Sequence, residues 1–476
     1  MPSEMVDWIR DIVAKGIRRP GSPENLATED FLAKKIEEFG LTDIRREPVD
    51  VHYWASTEVA LLLGEHRKQI PCCGVPYTAW SPAEGIEAEA VSIGHGSAAE
   101  LDAVDLDGRI AVMELRFGTL SVPALRSGAH FVHDPHDTIP NGTLHCANWL
   151  IENFPAYYEA QQRGAVGLIG ILADSPIDGA EHYVPYDGHL KGLPAIWVGR
   201  ESGAEVIEHV HSGGRVILKS TGSTTRVESH NIVATVPGTG HESIVLTCHH
   251  DAPFASAVED ASGLAVLLSL ARYFANHSER LQRSLVFVAS SGHFHGGIGN
   301  RIFVERHRDG LLQNTVAALG VEHIAEEAES DGQGGYRLTG LPELRVLFVD
   351  NNPRLLNLLR EGVEKWQLDR TMAIDPYLFG PEPPCDSAPF YTAGIPSVCH
   401  ISGPLYLFDP QDTIDKVRIE DLPRIEGLYR DLIEAIDSIP AEDLRIGLKH
   451  HPEDEPHPLP PWFQPPPKTS AGSGEE

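Results

Sequence analysis

An α/β fold with a mixed, mostly parallel sheet flanked by helices is the architecture that this 476-residue sequence predicts for its larger part. Three observations predict it. Apolar, β-branched runs recur at Asn231 to Val236, Ser243 to Cys248, Ser284 to Ala289 and Val316 to Val321, with the length of buried strands. Segments of helical length, Ser262 to Ala275 and Gly296 to Arg308, alternate with them. Imidazoles and carboxylates follow the runs directly, and ligands of such sheets sit at the carboxyl ends of the strands.

Taken in order, Ala27 to Phe39 reads as a helix. The stretch 51–226 reads differently, with short β-like segments (Arg109 to Leu115, Ile196 to Val198, Arg215 to Lys219) among many turn residues, and is expected to be a second, β-rich domain inserted into the first. The run ending at Val236 stops at Pro237-Gly238, and the run ending at Cys248 stops at His249-His250-Asp251. After the Gly-rich turn and helix of Gly296 to Arg308 come the strand of Val316 to Val321, a strand at Leu344 to Val349, a helix at Arg354 to Trp366, a strand near Ile395 to Cys399 and a closing helix over Glu420 to Ile436. The expected division is 1–50 with 227–450 as one discontinuous domain and 51–226 as the insertion. Residues 451–476, with eight prolines and a Gly/Ser/Glu end, form an acidic tail expected to be disordered.

Composition narrows the function. Acidic residues number 69 against 38 basic ones, a formal net charge of −31, which repels phosphate backbones and anionic headgroups. Nucleic acid and membrane surfaces are therefore not expected as partners. No basic leader with an apolar run opens the chain, so a cytoplasmic protein is expected. The six cysteines show no zinc-ribbon spacing and read as free thiols. A Gly-x-Ser-x-Gly elbow and a phosphate-binding Gly-x-x-x-x-Gly-Lys loop are both missing from the sequence, and Ser290 and Ser291 stand too close to His293 to supply a triad.

The informative residues follow the predicted strands: His249 to Asp251, Glu259-Asp260, His293 and His295, Glu322-His323, then Asp386 and His400. Any one of them alone is an ordinary loop or capping residue. Together they supply the imidazole and carboxylate donors that zinc, manganese or iron takes. A separate His-rich stretch, Ser127 to Trp149 with His130, His133, His136 and His145, lies in the inserted segment and reads as a solvated loop.

Arg19-Pro20-Gly21-Ser22-Pro23, His249-x-Asp251, Glu259-Asp260-Ala261-Ser262-Gly263, Asp386-x-x-Pro389-Phe390 and Gly394-Ile395-Pro396, in this order, resemble the di-zinc aminopeptidase and glutamate carboxypeptidase superfamily. Asp107 to Val112, Gly164 to Ile169 and Leu193 to Ile196 resemble the protease-associated domain often inserted there. This resemblance implies that the His-rich stretch, with Tyr183 and Tyr186, forms part of a pocket wall. The resemblance implies that His249 binds a metal, that Asp251 orients it, and that Glu259 stands at the position of the bridging aspartate. Glu322 matches a further ligand. The family's pair of glutamates, general base and then ligand, falls on His293 and Phe294, and its last ligand histidine falls on Phe408. One metal site thus lacks two protein ligands, while His249, Glu259 and Glu322 remain as a set.

The expected function is a metal-dependent hydrolase of an amide, peptide or related C–N bond in a small molecule or short peptide. One divalent metal per chain is expected, zinc first and iron or manganese as alternatives, held by His249, Glu259 and Glu322, with His293 as general base or additional ligand and Asp251 as orienter. A non-catalytic binding or scaffold protein that kept the fold, and a metal enzyme of non-hydrolytic chemistry, are the alternatives. The substrate, a homo-oligomeric state and the roles of His295, His323 and His400 stay open at this level.

Overall fold

The computed structural model describes residues 2–380 and 382–448, and their side chains except those of 2, 143–148 and 280. The expected tail at 451–476 lies outside the described residues. Two helices open the chain. Pro2–Val13, not anticipated from the sequence, buries Met5, Ile9 and Ile12. Pro23–Glu38 starts one turn earlier than expected because Ser22 caps it, its Oγ accepting the Asn25 N–H at 3.0 Å, with Pro23 in the first turn.

The central sheet has the expected mixed, mostly parallel character. Ser243–His249 lies between Ser284–Ser290 and Thr315–Val321, parallel to both, and Thr315–Val321 runs parallel to Ser397–Ser402. The register sets His249 beside Ser290 and Val321 beside His400, so the carboxyl ends of four strands form one edge. Arg345–Val349 then pairs antiparallel with Ser397–Ser402 and parallel with Thr371–Ile374. Helix Gly263–Ala275 is buried along nearly its whole length, as its charge-poor sequence requires. Helices Ile298–His307, Pro353–Lys365 and Leu422–Ile436 fall where the sequence places them, each within two residues at its ends.

Two features of residues 51–226, expected to form an inserted domain, differ from expectation. Arg215 to Lys219 and Asn231 to Val236 are not separate strands but the ends of one strand, Arg215–Val236, paired along its length with Ile44–Leu63. Its middle is largely exposed and offers no apolar alternation, so the sequence there reads as loop, while backbone pairing alone carries it from one lobe into the other. The second difference lies at Ala129–His133, which pairs antiparallel with Thr371–Ile374 and forms the far edge of the central sheet instead of staying within the inserted lobe. The rest of that lobe is built on the parallel strands Ile86–Ser92, Ile110–Glu114, Gly167–Ile171 and Ala195–Val198 around Ile110, Val112, Ile169 and Val198.

Candidate metal centre

His249 ends its strand with its ring fully buried. Its Nδ1 donates to the Asp251 carbonyl at 2.9 Å, which leaves Nε2 with a lone pair facing Glu259. Asp251 therefore orients His249 through its main chain. Its carboxylate is engaged elsewhere, accepting the backbone N–H of His293 at 3.0 Å and of Phe294 at 2.8 Å and so fixing the turn that carries both.

Glu259 reaches the site from a loop held on three sides. Asp412 accepts the backbone N–H groups of Ala257, Val258 and Glu259; buried Arg18 donates to the carbonyls of Ser256 and Glu259; and Asp260, its Oδ2 3.7 Å from His249 Nε2, accepts the N–H groups of Gly263 and His323 and the Cys248 thiol. The Glu259–Asp260 peptide is cis. One Glu259 oxygen lies 2.9 Å from His249 Nε2 and the other 2.7 Å from His323 Nε2. Neither contact is aligned as a hydrogen bond, and all four atoms lack a hydrogen-bond partner among the described residues. Protonated, these imidazoles pair with the carboxylate; neutral, they and the carboxylate offer their lone pairs to a shared position. Donors around zinc sit about 2 Å from it, hence about 3 Å from each other.

Glu322 follows the strand Thr315–Val321. Its Oε1 accepts the Asp386 N–H at 2.8 Å and the Cys399 thiol at 3.2 Å, while Oε2 is buried and without a hydrogen-bond partner among the described residues. His249 belongs to two convergent groups, one with Glu259 and His293 and the other with Asp260, Glu322 and His323, and within each the donor atoms lie within 4.8 Å. His249, Glu259 and Glu322 are thus spread over two overlapping groups that share His249. A third group joins His293, Glu322 and Asp386.

His293 stacks on His249 with centroids 4.0 Å apart and on Tyr186 at 5.7 Å, and its Nδ1 lies 3.2 Å from Asp386 Oδ1. Phe294 is fully buried and packs against Tyr183, Tyr186 and Phe408. The two positions at which the family resemblance lacks ligands are therefore joined in one aromatic cluster.

The electrostatics of the group call for a cation. Glu259, Asp260, Glu322 and Asp386 are all buried, and a buried charge without compensation is costly. Burial and the neighbouring Asp386 push the Glu322 carboxyl up. Burial alone would depress His323, yet Glu259 and Asp260 hold it up at about 10. Burial likewise acts downward on His249, and Asp386, Glu259 and Asp260 override it upward. A bound divalent cation would neutralise the carboxylates and leave the imidazoles as neutral ligands, so the residues present fit such an ion.

The open histidines separate in space. His323 enters the group, its backbone at φ 46° and its Nδ1 against the Ser402 carbonyl at 2.7 Å. His400 stands behind Glu322, with Nδ1 2.8 Å from the Glu322 carbonyl. His295 points into the other lobe, where its Nε2 is 3.2 Å from His52 Nδ1. In the His-rich stretch, His133 and His136 approach Asp369 at 3.5 and 3.6 Å, and the side chain of His145 lies outside the described residues. Tyr186 and Trp149 line the cavity of about 260 Å³ beside the metal group; His130, His133 and His136 do not. Cys72, Cys73, Cys248, Cys385 and Cys399 are free thiols, and Cys146 lies outside the described side chains.

Sequence reasoning leaves His323 undecided and gives no role to Arg18 or to Asp386 as the partner of His293. A charged residue directly after the ligand-bearing strand end is the available signal for His323; for Arg18 there is none.

The fold is shared with known proteins. Carboxypeptidase Q of Xenopus laevis is 23% identical over 352 residues, covering 70% of this chain and 67% of that protein. The zinc aminopeptidase BSAP of Bacillus subtilis superposes with a TM-score of 0.66 at 18% identity, covering 93% of this chain and 97% of that one. An aminopeptidase of Aneurinibacillus sp. strain AM-1 gives 0.62 at 19% identity, covering 92% and 93%. Residues 231–430, which carry every member of the metal group, match the model of Peptidase family M28.

Proposed function

We propose that this protein is a metal-dependent hydrolase of the peptidase type, acting on an amide, peptide or related C–N bond, with a single zinc held by His249, Glu259 and Glu322. The match of residues 231–430 to the model of Peptidase family M28 supports the reaction class. The observation that carries the reading is a set of buried donor atoms without hydrogen-bond partners among the described residues, His249 Nε2, both Glu259 oxygens and Glu322 Oε2, in two overlapping groups that share His249. His323 Nε2, against the same Glu259 carboxylate, is a fourth donor at that point. The pairing of Phe294 with Phe408 supports one metal, since neither side chain can ligate a second.

Zinc, when bound, supplies a Lewis acid and a water of lowered pKa. The chain's own residues do the rest. His293 lines the cavity, and with Nδ1 donating to Asp386 its Nε2 is left to accept a proton from the nucleophile and return it to the leaving amine. Asp251 keeps the His293 turn in place through the two backbone N–H groups, and Tyr186 closes one side of the imidazole against water.

The test is the metal content of the purified, unchelated protein by elemental mass spectrometry, wild type beside His249→Ala, with amide hydrolysis assayed on both. About one equivalent in the wild type, lost with turnover in the variant, is the expected result. Two equivalents would overturn the single-metal assignment. Metal in neither protein, with both folded and no gain on adding zinc, would favour a non-catalytic binding protein, the reading to which Phe294 and Phe408 also lend support.

A further inference from the structure

The cavity extends from the metal group to carboxylates that the proposed chemistry does not use. Its volume of about 260 Å³ equals roughly nine waters at ~30 Å³ each, room for one side chain or a short alkyl group. Its walls are largely apolar, with Val346, Phe348, Phe379, Ile401 and Leu405 among them. Five carboxylates also line it, Glu322, Glu327, Glu343, Glu382 and Asp386, while Arg301 is the single lysine or arginine in the lining.

These carboxylates differ in their commitments. Glu322 and Asp386 belong to the metal group. Glu382 is ion-paired with Arg301 at 2.5 Å, and Glu327 is bound by Arg370 and by Thr339 Oγ1. Glu343 stands apart: its Oε1 accepts the N–H of the adjacent Leu344 at 2.9 Å, and it has no ion pair among the described residues. Only 8% of it is exposed, and burial together with nearby Glu327 pushes its carboxyl up to about 7, against the Leu344 N–H and the more distant charges of Arg370 and Arg345. A carboxylate in no direct ion pair at an apolar cavity wall is costly to ionise, and a ligand ammonium placed there lowers the cost.

We propose that the cavity takes the part of the substrate that has an apolar body and a terminal ammonium group, with Glu343 as its counter-ion. Resting on the hydrolase reading for what this group is attached to, the substrate class is an amide or peptide bearing an alkylamine or lysine-like side chain. An anionic side chain meets the opposite situation, since Arg301 is already paired and the remaining charged lining outside the imidazoles is negative.

The experiment is calorimetric titration of the intact protein with n-hexylamine, 1-hexanol and hexanoate at pH 8, for wild type and Glu343→Gln. Hexylamine should bind roughly tenfold or more tightly than the other two, the effect of one charge-assisted contact. Glu343→Gln should abolish that preference and leave the affinity for hexanol unchanged. Equal binding of the three ligands by the wild type overturns the proposal, and this comparison needs no variant to fold. A preference that survives in Glu343→Gln also overturns it, because the amine would then be held elsewhere, for instance on the metal. Amine preference without any amide turnover would sink the hydrolase reading and keep this one; amide turnover without amine preference would do the reverse.

Discussion

Phe294 and Phe408 meet edge to face, with ring centroids 5.4 Å apart and planes at 86°. They come from a turn after one strand and a loop after another, and Tyr186 completes the cluster by touching both. Aromatic packing of this kind fills space that ligands would otherwise share with an ion. Phe294→Glu combined with Phe408→His should therefore raise the zinc content from about one to about two equivalents per chain. A double variant that stays folded and keeps one equivalent would show that the second position is not recoverable from these residues.

Asp251 fixes the position of the His293 turn through the two N–H groups that its carboxylate accepts. In Asp251→Asn one oxygen becomes a donor facing an N–H, and the loss of a buried acceptor costs about 1–3 kcal/mol. Urea denaturation reads this directly. A change below about 0.5 kcal/mol, within the range of neutral surface substitutions, would contradict the role given to the carboxylate.

His293→Gln separates proton transfer from metal binding. With His293 as the base, turnover falls roughly a hundred- to ten-thousand-fold while the zinc content stays at that of the wild type. Zinc lost together with turnover would instead make His293 a ligand, which its place in the group with His249 and Glu259 allows.

Stability should fall as pH rises through neutrality, and Glu343 is one cause. Burial raises its carboxyl from 4.5 to about 7, so between these values the folded chain holds a proton that the unfolded chain has released. The stability contributed by the neutral form is present in full below pH 4.5 and lost above 7. Glu343→Gln removes the penalty at pH 8, an effect on the order of 2 kcal/mol, and changes little at pH 4.5. Thermal melts of both proteins at the two pH values check this; a gain of equal size at both would mean that ionisation is not its source.

Asp412 holds the Glu259 loop by accepting three backbone N–H groups. Asp412→Ala leaves those donors buried, and a loss of about 2–4 kcal/mol together with weaker zinc binding is expected. Zinc affinity equal to that of the wild type would show that Glu259 keeps its place without this support.

The strand runs at Ser243–His249, Ser284–Ser290 and Thr315–Val321 are legible in the sequence because fully buried strands must be apolar along their whole length. The donor types at their carboxyl ends are legible for a similar reason: imidazole and carboxylate together suit a divalent ion of this class. The strand Arg215–Val236 reads as two pieces because its exposed middle has no face to bury. The helix Pro2–Val13 and the edge strand Ala129–His133 escape such reading, the latter because its partner Thr371–Ile374 is distant in sequence.

Local sequence thus determined the sheet, its helices and the kinds of side chain offered at its edge, since burial and periodicity act over a few residues. The tertiary structure alone decided which histidines meet. His323 turns into the group through a left-handed backbone and a contact with Ser402, while His295, two residues beyond His293, is drawn away by His52 from the other lobe. It also decided that Glu343 lines the cavity without an ion pair among the described residues, because the direction of a side chain leaving a strand end is set by loops and partners remote in the chain, on which spacing carries no information.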